Sequence, residues 1–486
     1  MPARTKLMLG AIRAGLLLQL LGFTAAAAPP PLDAFAALPV VSDVSLSPNG
    51  KLLALADRSR PQARVVVFDM VSQKTRQQIA TDDDTKLRGI DWADDDTVLI
   101  EVSRTQKKTT SDMERIRSEY FRTISVDLNS GKNHMLLMGD EARQWVISAN
   151  LLAWRTPTPK KVLMSSWDYS VTAARATVDT HIAASRGDSG WILNLFEVDT
   201  TTGVGKVIQR GDQFTDDWVV NIEGRCVARS EWDSKHKVYK ILALVGRSWR
   251  EIYARNDGAT LALYGVTTDG TAIVAVGPNA AGHQAAWAVS LDGSGIKLLH
   301  EDPSYDVQTV IRDRFTNAPI GVVLGGLRQE VRWFDKGAES VFNRVADAFQ
   351  GRSVVIYGRS EDGKRALARV DSPSQPAIYY LVDLAKGTAD TVGEEYPGLA
   401  GAAMGEVRGI SYKSRDGTTI PAYLTIPPGT SGKNLPLVVL PHGGPEARDD
   451  YEFDWWSQFL ASRGYAVLRP QFRGSTGHGD VFRRAG

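Results

Sequence analysis

The sequence predicts two architectures in one chain: an all-β region of about seven short-stranded repeats, read as a β-propeller over 29–404, and the beginning of a parallel strand–helix–strand sheet over 405–486. Three observations predict this. Between about Val40 and Gly405 apolar residues alternate with period two between Gly, Asp and Asn turns, with almost no long helical periodicity. A turn-plus-strand unit recurs along that stretch. From Leu437 onward the pattern changes to apolar run, loop, helix and apolar run, the order that builds a parallel sheet.

The N-terminus comes first. Arg4, Lys6 and Arg13 precede the apolar stretch Ala14 to Phe23, and Ala25 to Ala28 offer small-residue cleavage sites before Pro29, Pro30 and Pro31. Residues 1–28 are therefore expected to be a secretory signal peptide. The uncharged segment, about 15 residues, is shorter than the roughly 18–20 that cross a bilayer, so no stable membrane insertion is expected after cleavage. The single cysteine, Cys226, cannot form an internal disulfide, and no cysteine stands at the processing site to carry a lipid. A periplasmic or secreted bacterial location is the expectation.

The repeating unit has two halves. One is a turn entering a strand, as in Ser47-Pro48-Asn49-Gly50-Lys51 before LLAL and Ser360-Glu361-Asp362-Gly363-Lys364 before RALA. The other is an apolar strand ending in aspartate, at Phe68-Asp69, Val126-Asp127, Val198-Asp199, Leu291-Asp292, Phe334-Asp335 and Val382-Asp383. The long interval between Asp199 and Asp292 leaves room for a further unit around Ile241 to Val245, which brings the count to about seven. Four short strands per repeat of this length are a propeller signature, and some 360 residues exceed what one β-sandwich holds.

A seam is expected near Gly398 to Glu406. Beyond it, Val407 to Tyr412, a turn at Arg415-Asp416-Gly417 and Ile420 to Thr425 read as a hairpin closed by Pro427, Pro428 and Gly429. Leu437 to Leu440 reads as a buried strand delivering His442, Gly443, Gly444 and Pro445 onto a tight loop. Trp455, Trp456, Phe459 and Leu460 recur at helical spacing, Gly464 is a C-cap signal, and Tyr465 to Leu468 is a second buried strand ended by Pro470.

A strand ending in His-Gly-Gly is the pattern of an α/β-hydrolase oxyanion loop, in which glycines without Cβ atoms let backbone N–H groups approach a carbonyl oxygen gaining negative charge. With Pro445, the RGS-x-G-x-G turn at Arg473 to Gly479 and the short-stranded region before them, the chain resembles the prolyl oligopeptidase (S9) family of serine peptidases, in its acylaminoacyl-peptidase and dipeptidyl-aminopeptidase branch. The resemblance implies a β-propeller followed by an α/β-hydrolase domain, here only its N-terminal part, and an oligopeptide substrate. It also implies a triad in the order Ser, Asp or Glu, His, with the serine in G-x-S-x-G. That motif does not occur: Ser248, Ser353, Ser360 and Ser431 have a glycine two before but none two after, and Ser475 has Gly477 after it but Arg473 before it. Nucleophile, acid and base are expected beyond Gly486, and the chain as given is expected to be an inactive fragment. The site residues matched by the resemblance are His442 and the Gly443 amide. His442 either faces the oxyanion or braces the loop through a hydrogen bond, and Arg473 is expected to buttress the loop through a carboxylate.

Other motifs are set aside on physical grounds. Gly187-Asp188-Ser189-Gly190 is followed by Trp191, lacks a matching histidine motif and reads as a polar turn. Asp82 to Asp84 and Asp94 to Asp96 lack the alternating ligands and distal glutamate of a calcium loop and read as solvated turns. Glu114 and Glu119 lie in the charged stretch Asp112 to Arg122, where a carboxylate could take a peptide's amino group, although the motif does not match the family's. His134, His181, His236, His283 and His300 show no paired metal-ligand spacing, so no metal and no cofactor are expected. With 43% hydrophobic residues, 23% charged residues and a net charge of +1, the chain has neither the basic patch nor the high pI of a nucleic-acid or anionic-membrane binder. Two functions remain: a serine peptidase of short oligopeptides, or a periplasmic propeller that binds a peptide or protein without catalysis.

Overall fold

The computed structural model describes residues 4–6, 28–109, 115–137, 149–169, 190–444 and 446–486. The chain divides into two compact units. One comprises Asp43–Leu324 with Val331–Asp335, the other Met1–Ser42, Gly325–Glu330 and Lys336–Gly486. The sheet between Ser353 and Glu394 shares a unit with the C-terminal region.

The first unit is built from six sheets of three or four strands, each with neighbours in chain order. Their paired registers are antiparallel, as in Leu52↔Asp69 and Ala228↔Ala243. Alternation in sequence becomes alternation in burial: in Val238–Val245 the side chains of Tyr239, Ile241 and Ala243 are buried between half-exposed neighbours. That strand lies in a four-stranded sheet of its own, the further unit expected between Asp199 and Asp292. Each sheet packs on the next. Ala54, Val65 and Val67 meet Leu87, Trp92 and Val98, while Val219, Tyr239 and Ile241 meet Val266 and Ile273.

The aspartates that end strands do so for a definite reason. Asp69 Oδ1 accepts from the N–H groups of Val71 and Ser72, Asp127 from Asn129 and Ser130, and Asp383 from Ala385 and Lys386. Each carboxylate closes an Asx turn and replaces the ladder partner that the backbone loses. The entry turns are equally uniform: Ser47 Oγ donates to Asn49 and accepts from Leu52 N–H, and Ser360 repeats both bonds with Asp362 and Arg365. Thr267, Asp269 and Ala272 form a third copy that the sequence reading did not single out. The strands at Leu291-Asp292 and Phe334-Asp335 end slightly earlier than expected, at Ser290 and Trp333.

In the second unit the helix Lys336–Ala348 covers the sheet Ser353–Arg359, Arg365–Ser372, Gln375–Asp383 and Thr388–Glu394, to which Arg4–Lys6 adds an edge strand. The remainder of the signal-peptide expectation, 1–3 and 7–27, lies outside the described residues. No helix among the described residues is long and apolar enough to cross a membrane.

The C-terminal sheet runs in the order Glu406–Lys413, Thr419–Ile426, Ala466–Pro470, Leu437–Val439. The first two form the expected hairpin, in which Gly417 has a φ of +85° and its N–H reaches the Ser414 carbonyl. The last two pair in parallel, with Val438 opposite Val467. Between them lies the helix Trp455–Ser462, N-capped by Asp454, whose carboxylate accepts from Ser457 N–H at 2.7 Å. Gly464, at φ +92°, closes a Schellman motif: Gly464 N–H reaches the Ala461 carbonyl and Tyr465 N–H that of Leu460.

One expectation fails here. The strand expected to be buried over Leu437 to Leu440 covers Leu437–Val439 and is an edge strand, with Leu437 54% and Val439 56% exposed. Trp455 and Trp456 likewise stand out in solvent, stacked on each other 5.8 Å apart, while Ser457, Gln458 and Ala461 are the buried side of their helix. Apolar composition predicts burial only where a second layer exists to supply it.

Candidate functional site

The loop after Leu437–Val439 and the turn after Ala466–Pro470 leave the C-terminal ends of two parallel strands and therefore meet at one edge of the sheet. This is the edge where parallel α/β sheets bind ligands. The His442 ring is clamped there from two directions. Its face stacks on Phe472, with centroids 4.4 Å apart and planes at 21°. At its edge, Nε2 lies 2.8 Å from Ser475 Oγ and Nδ1 lies 2.8 Å from the Gly443 carbonyl oxygen. Ser475 belongs to the RGS-x-G-x-G turn and Phe472 immediately precedes it, so the two motifs of the sequence form one structure.

The glycines differ. A Cβ on Gly444 would lie 2.9 Å from Glu446 N, and its φ is +132°, so local geometry alone demands glycine. A Cβ on Gly443 would have nothing within 4 Å. Gly443 is exposed, and among the described residues neither its N–H nor that of Gly444 is engaged in a hydrogen bond. Pro445 lies outside the described residues.

Below the loop sits a buried polar layer that sequence reasoning missed. Arg448 forks onto the carbonyls of Gly325 and Gly326 at 2.7 Å each, and glycine at 477 is what leaves room for its guanidinium. Gln471, fully buried, brackets Asp449 by accepting from its N–H and donating to its carbonyl at 2.6 Å. Arg469, 4% exposed, lies over the Tyr423 ring with Nη1 3.6 Å from Asp449 Oδ1. Burial pushes the Asp449 carboxyl above the usual carboxylate range, against the pull of Arg469. The only trace in the sequence is an undifferentiated run of acids from Glu446 to Asp454, which reads as a polar loop.

Arg473 does pair with a carboxylate, but with Asp416 in the hairpin turn rather than within the His442 loop. Ser475 is the one serine of those considered that touches a histidine, and its hydroxyl is fully buried, out of reach of a substrate carbonyl. His442–Ser475 therefore has the contact of a nucleophile–base pair without its access.

The motifs set aside are accounted for as far as they are described. Glu119 is committed to Ser103, Arg88 and Lys86, with Ser103 first among the groups that hold its carboxyl down to about 2. Asp94 pairs with Lys160 and Asp96 with Arg76, at the rim of a cleft of about 440 Å³ that also takes in Trp154 and Arg155. His236 and His283 face Asp233 and Asp306, and burial lowers the pKa of His300. Asp112, Glu114, His181 and 187–189 lie outside the described residues.

Comparison with known proteins adds lineage to this geometry. A dipeptidyl aminopeptidase BIII of Pseudoxanthomonas mexicana is 31% identical over 237 residues, 47% of this chain and 34% of that protein. Dipeptidyl peptidase family member 6 of Caenorhabditis elegans is 32% identical over 155 residues, 28% of this chain and 21% of that protein. The chain is thus similar to dipeptidyl peptidases, a likeness that supports a peptidase of the prolyl oligopeptidase (S9) family. No protein-family model matches it. The matched stretch spans about a third or less of these S9 relatives' own length. Among solved structures, the acylaminoacyl peptidase of Pyrococcus horikoshii superposes with a TM-score of 0.55 at 17% identity, covering 92% of this chain and 67% of that one. A puromycin-hydrolyzing peptidase of Mycobacterium tuberculosis gives 0.58 at 15% identity, covering 95% and 71%. At such identities the likeness concerns the fold of these S9 proteins.

Proposed function

We propose that the chain is the propeller and the first part of the α/β-hydrolase domain of a serine peptidase acting on short oligopeptides. On this reading 29–404 form the propeller, with the seven antiparallel sheets as blades, and 405–486 open the hydrolase domain. The observation that carries the reading is the pair of unengaged, exposed N–H groups at Gly443 and Gly444, held at the C-terminal edge of a parallel sheet by a clamped histidine. Donors fixed in advance toward a developing oxyanion supply about 3 kcal/mol each in acyl transfer. His442 acts as the brace and the glycine amides as the donors, since both ring nitrogens are spent inside the loop. The reading requires a nucleophile, acid and base that the G-x-S-x-G-free sequence does not itself present, and the uncovered edge at Leu437–Val439 is where further strands of a sheet can add. Residues 1–28 direct export to the periplasm or medium and are removed.

The test is the longest natural product of the gene. It is purified from its source, its mass and C-terminus are determined, and it is assayed on dipeptidyl and acyl-peptide nitroanilides. A longer protein with G-x-S-x-G that cleaves them supports the proposal. A native terminus at Gly486, or a longer protein that binds peptides without cleaving them, refutes the catalytic reading in favour of a propeller binding protein.

A further inference from the structure

The contacts of His442 fix more than its position. A carbonyl oxygen can only accept, so the 2.8 Å approach of Nδ1 to the Gly443 oxygen places the ring hydrogen on Nδ1. In the neutral ring Nε2 then carries a lone pair, and the Ser475 hydroxyl 2.8 Å away donates to it. The opposite tautomer would set two lone pairs against each other at Nδ1. Because a trans peptide holds its C=O and N–H on opposite sides, pinning the Gly443 carbonyl against the imidazole turns the Gly444 N–H away from the ring. Glycine on both sides of this peptide leaves nothing else in the local backbone to set its direction.

We propose that Ser475 is the positioning residue of the oxyanion loop: through His442 Nε2 it orients the imidazole whose Nδ1–H pins the Gly443 carbonyl and so aims the Gly444 N–H outward. The last step rests on the oxyanion reading above; the rest stands on geometry. Ser475 acts through His442 and, being fully buried, meets no substrate itself. Phe472 fixes the ring plane but not which of the two orientations related by a half-turn about Cβ–Cγ the ring takes, and the hydrogen bond from Ser475 favours the one observed.

The experiment is long-range 1H–15N spectroscopy of the chain labelled with 15N at histidine and glycine, with the His442 signal among the seven histidines assigned by its loss in His442→Gln and the Gly444 amide by its loss in Gly444→Ala. The expected result is a single neutral Nδ1–H tautomer in the wild type. In folded Ser475→Ala a second tautomer is expected, together with a displaced Gly444 amide signal, and Ser475→Thr, which keeps the hydroxyl, returns both toward the wild type. An Nε2–H tautomer in the wild type overturns the proposal, as does a folded Ser475→Ala in which ring and amide signals are unchanged. Should Ser475→Ala not fold, the wild type decides alone: a slowly exchanging Ser475 hydroxyl proton close to the ring supports the proposal, and a freely exchanging one overturns it. Peptide hydrolysis is measured separately on the longest natural product, so loss of the catalytic reading leaves the tautomer result intact, and the converse also holds.

Discussion

Gln458 and Gly405 exchange a reciprocal pair of hydrogen bonds: Gly405 N–H donates to Gln458 Oε1 at 2.7 Å, and Gln458 Nε2 donates back to the Gly405 carbonyl at 3.0 Å. The same Nε2 reaches the Pro373 carbonyl at 2.8 Å, so one side chain, 1% exposed, serves three backbone groups. A Cβ on Gly405 would sit 2.6 Å from the Ile426 carbonyl oxygen, so glycine at 405 is what brings the backbone close enough for the pair. Gln458→Met keeps the volume and removes every donor and acceptor. Because it leaves buried backbone groups without partners, we expect it to cost about 2–4 kcal/mol. The measurement is the urea midpoint of the transition that reports on the C-terminal unit; a change below about 0.5 kcal/mol would contradict the role assigned to Gln458.

The two glycines of the His442 loop should part company under the same substitution. Gly444→Ala forces a Cβ against Glu446 N at a positive φ and is expected to lose on the order of 1–3 kcal/mol. Gly443→Ala meets nothing and should stay within about 0.5 kcal/mol of the wild type. Thermal denaturation of the two variants checks this directly. Equal losses would mean that Gly443 is glycine for folding rather than for what approaches the loop.

Much of this was legible in the sequence, and the limits have physical causes. The repeat could be read because the turn chemistry is local: an aspartate that accepts from the amides two and three residues on, and a Ser-x-Asn/Asp-Gly turn that bonds to itself. The loop at His442 could be read for the same reason, as glycine and histidine at a strand end have few other uses. The layer beneath it could not. Arg448, Arg469 and Gln471 find their partners through sheet register and long-range contacts, and nothing within a few residues of each marks it as buried. Exposure of Leu437 is not legible because hydropathy reports a side chain's preference, whereas burial also needs a neighbour.

Cys226 should behave as an inert thiol. Burial pushes it up to about 12, and the residue packs against the buried cluster that includes Trp218 and Val220. The thiolate is the reactive form, so at pH 8 a disulfide reagent such as DTNB should leave the folded chain almost unlabelled and titrate one thiol in urea. Rapid stoichiometric labelling of the native chain would place the sulfur in water instead.

Asp217 supplies a pH dependence whose sign can be worked out. Burial raises its carboxyl to about 6, with Asp216 adding to the shift, while the Trp218 N–H and Arg312 oppose it. The folded pKa lies above the ordinary value of 3.8, so the folded chain binds the proton more tightly than the unfolded one. The stability this group contributes is therefore full below about pH 4 and is lost as pH rises toward about 6, by an amount on the order of 1–3 kcal/mol. Asp217→Asn carries no charge to bury. Its melting temperature should match the wild type near pH 4 and exceed it by a margin that opens between pH 4 and 6 and is constant above. Because every other titrating group cancels in the difference, a margin that is flat across this range, or that favours the wild type at pH 7, would show that Asp217 is ionised in the folded chain at no cost.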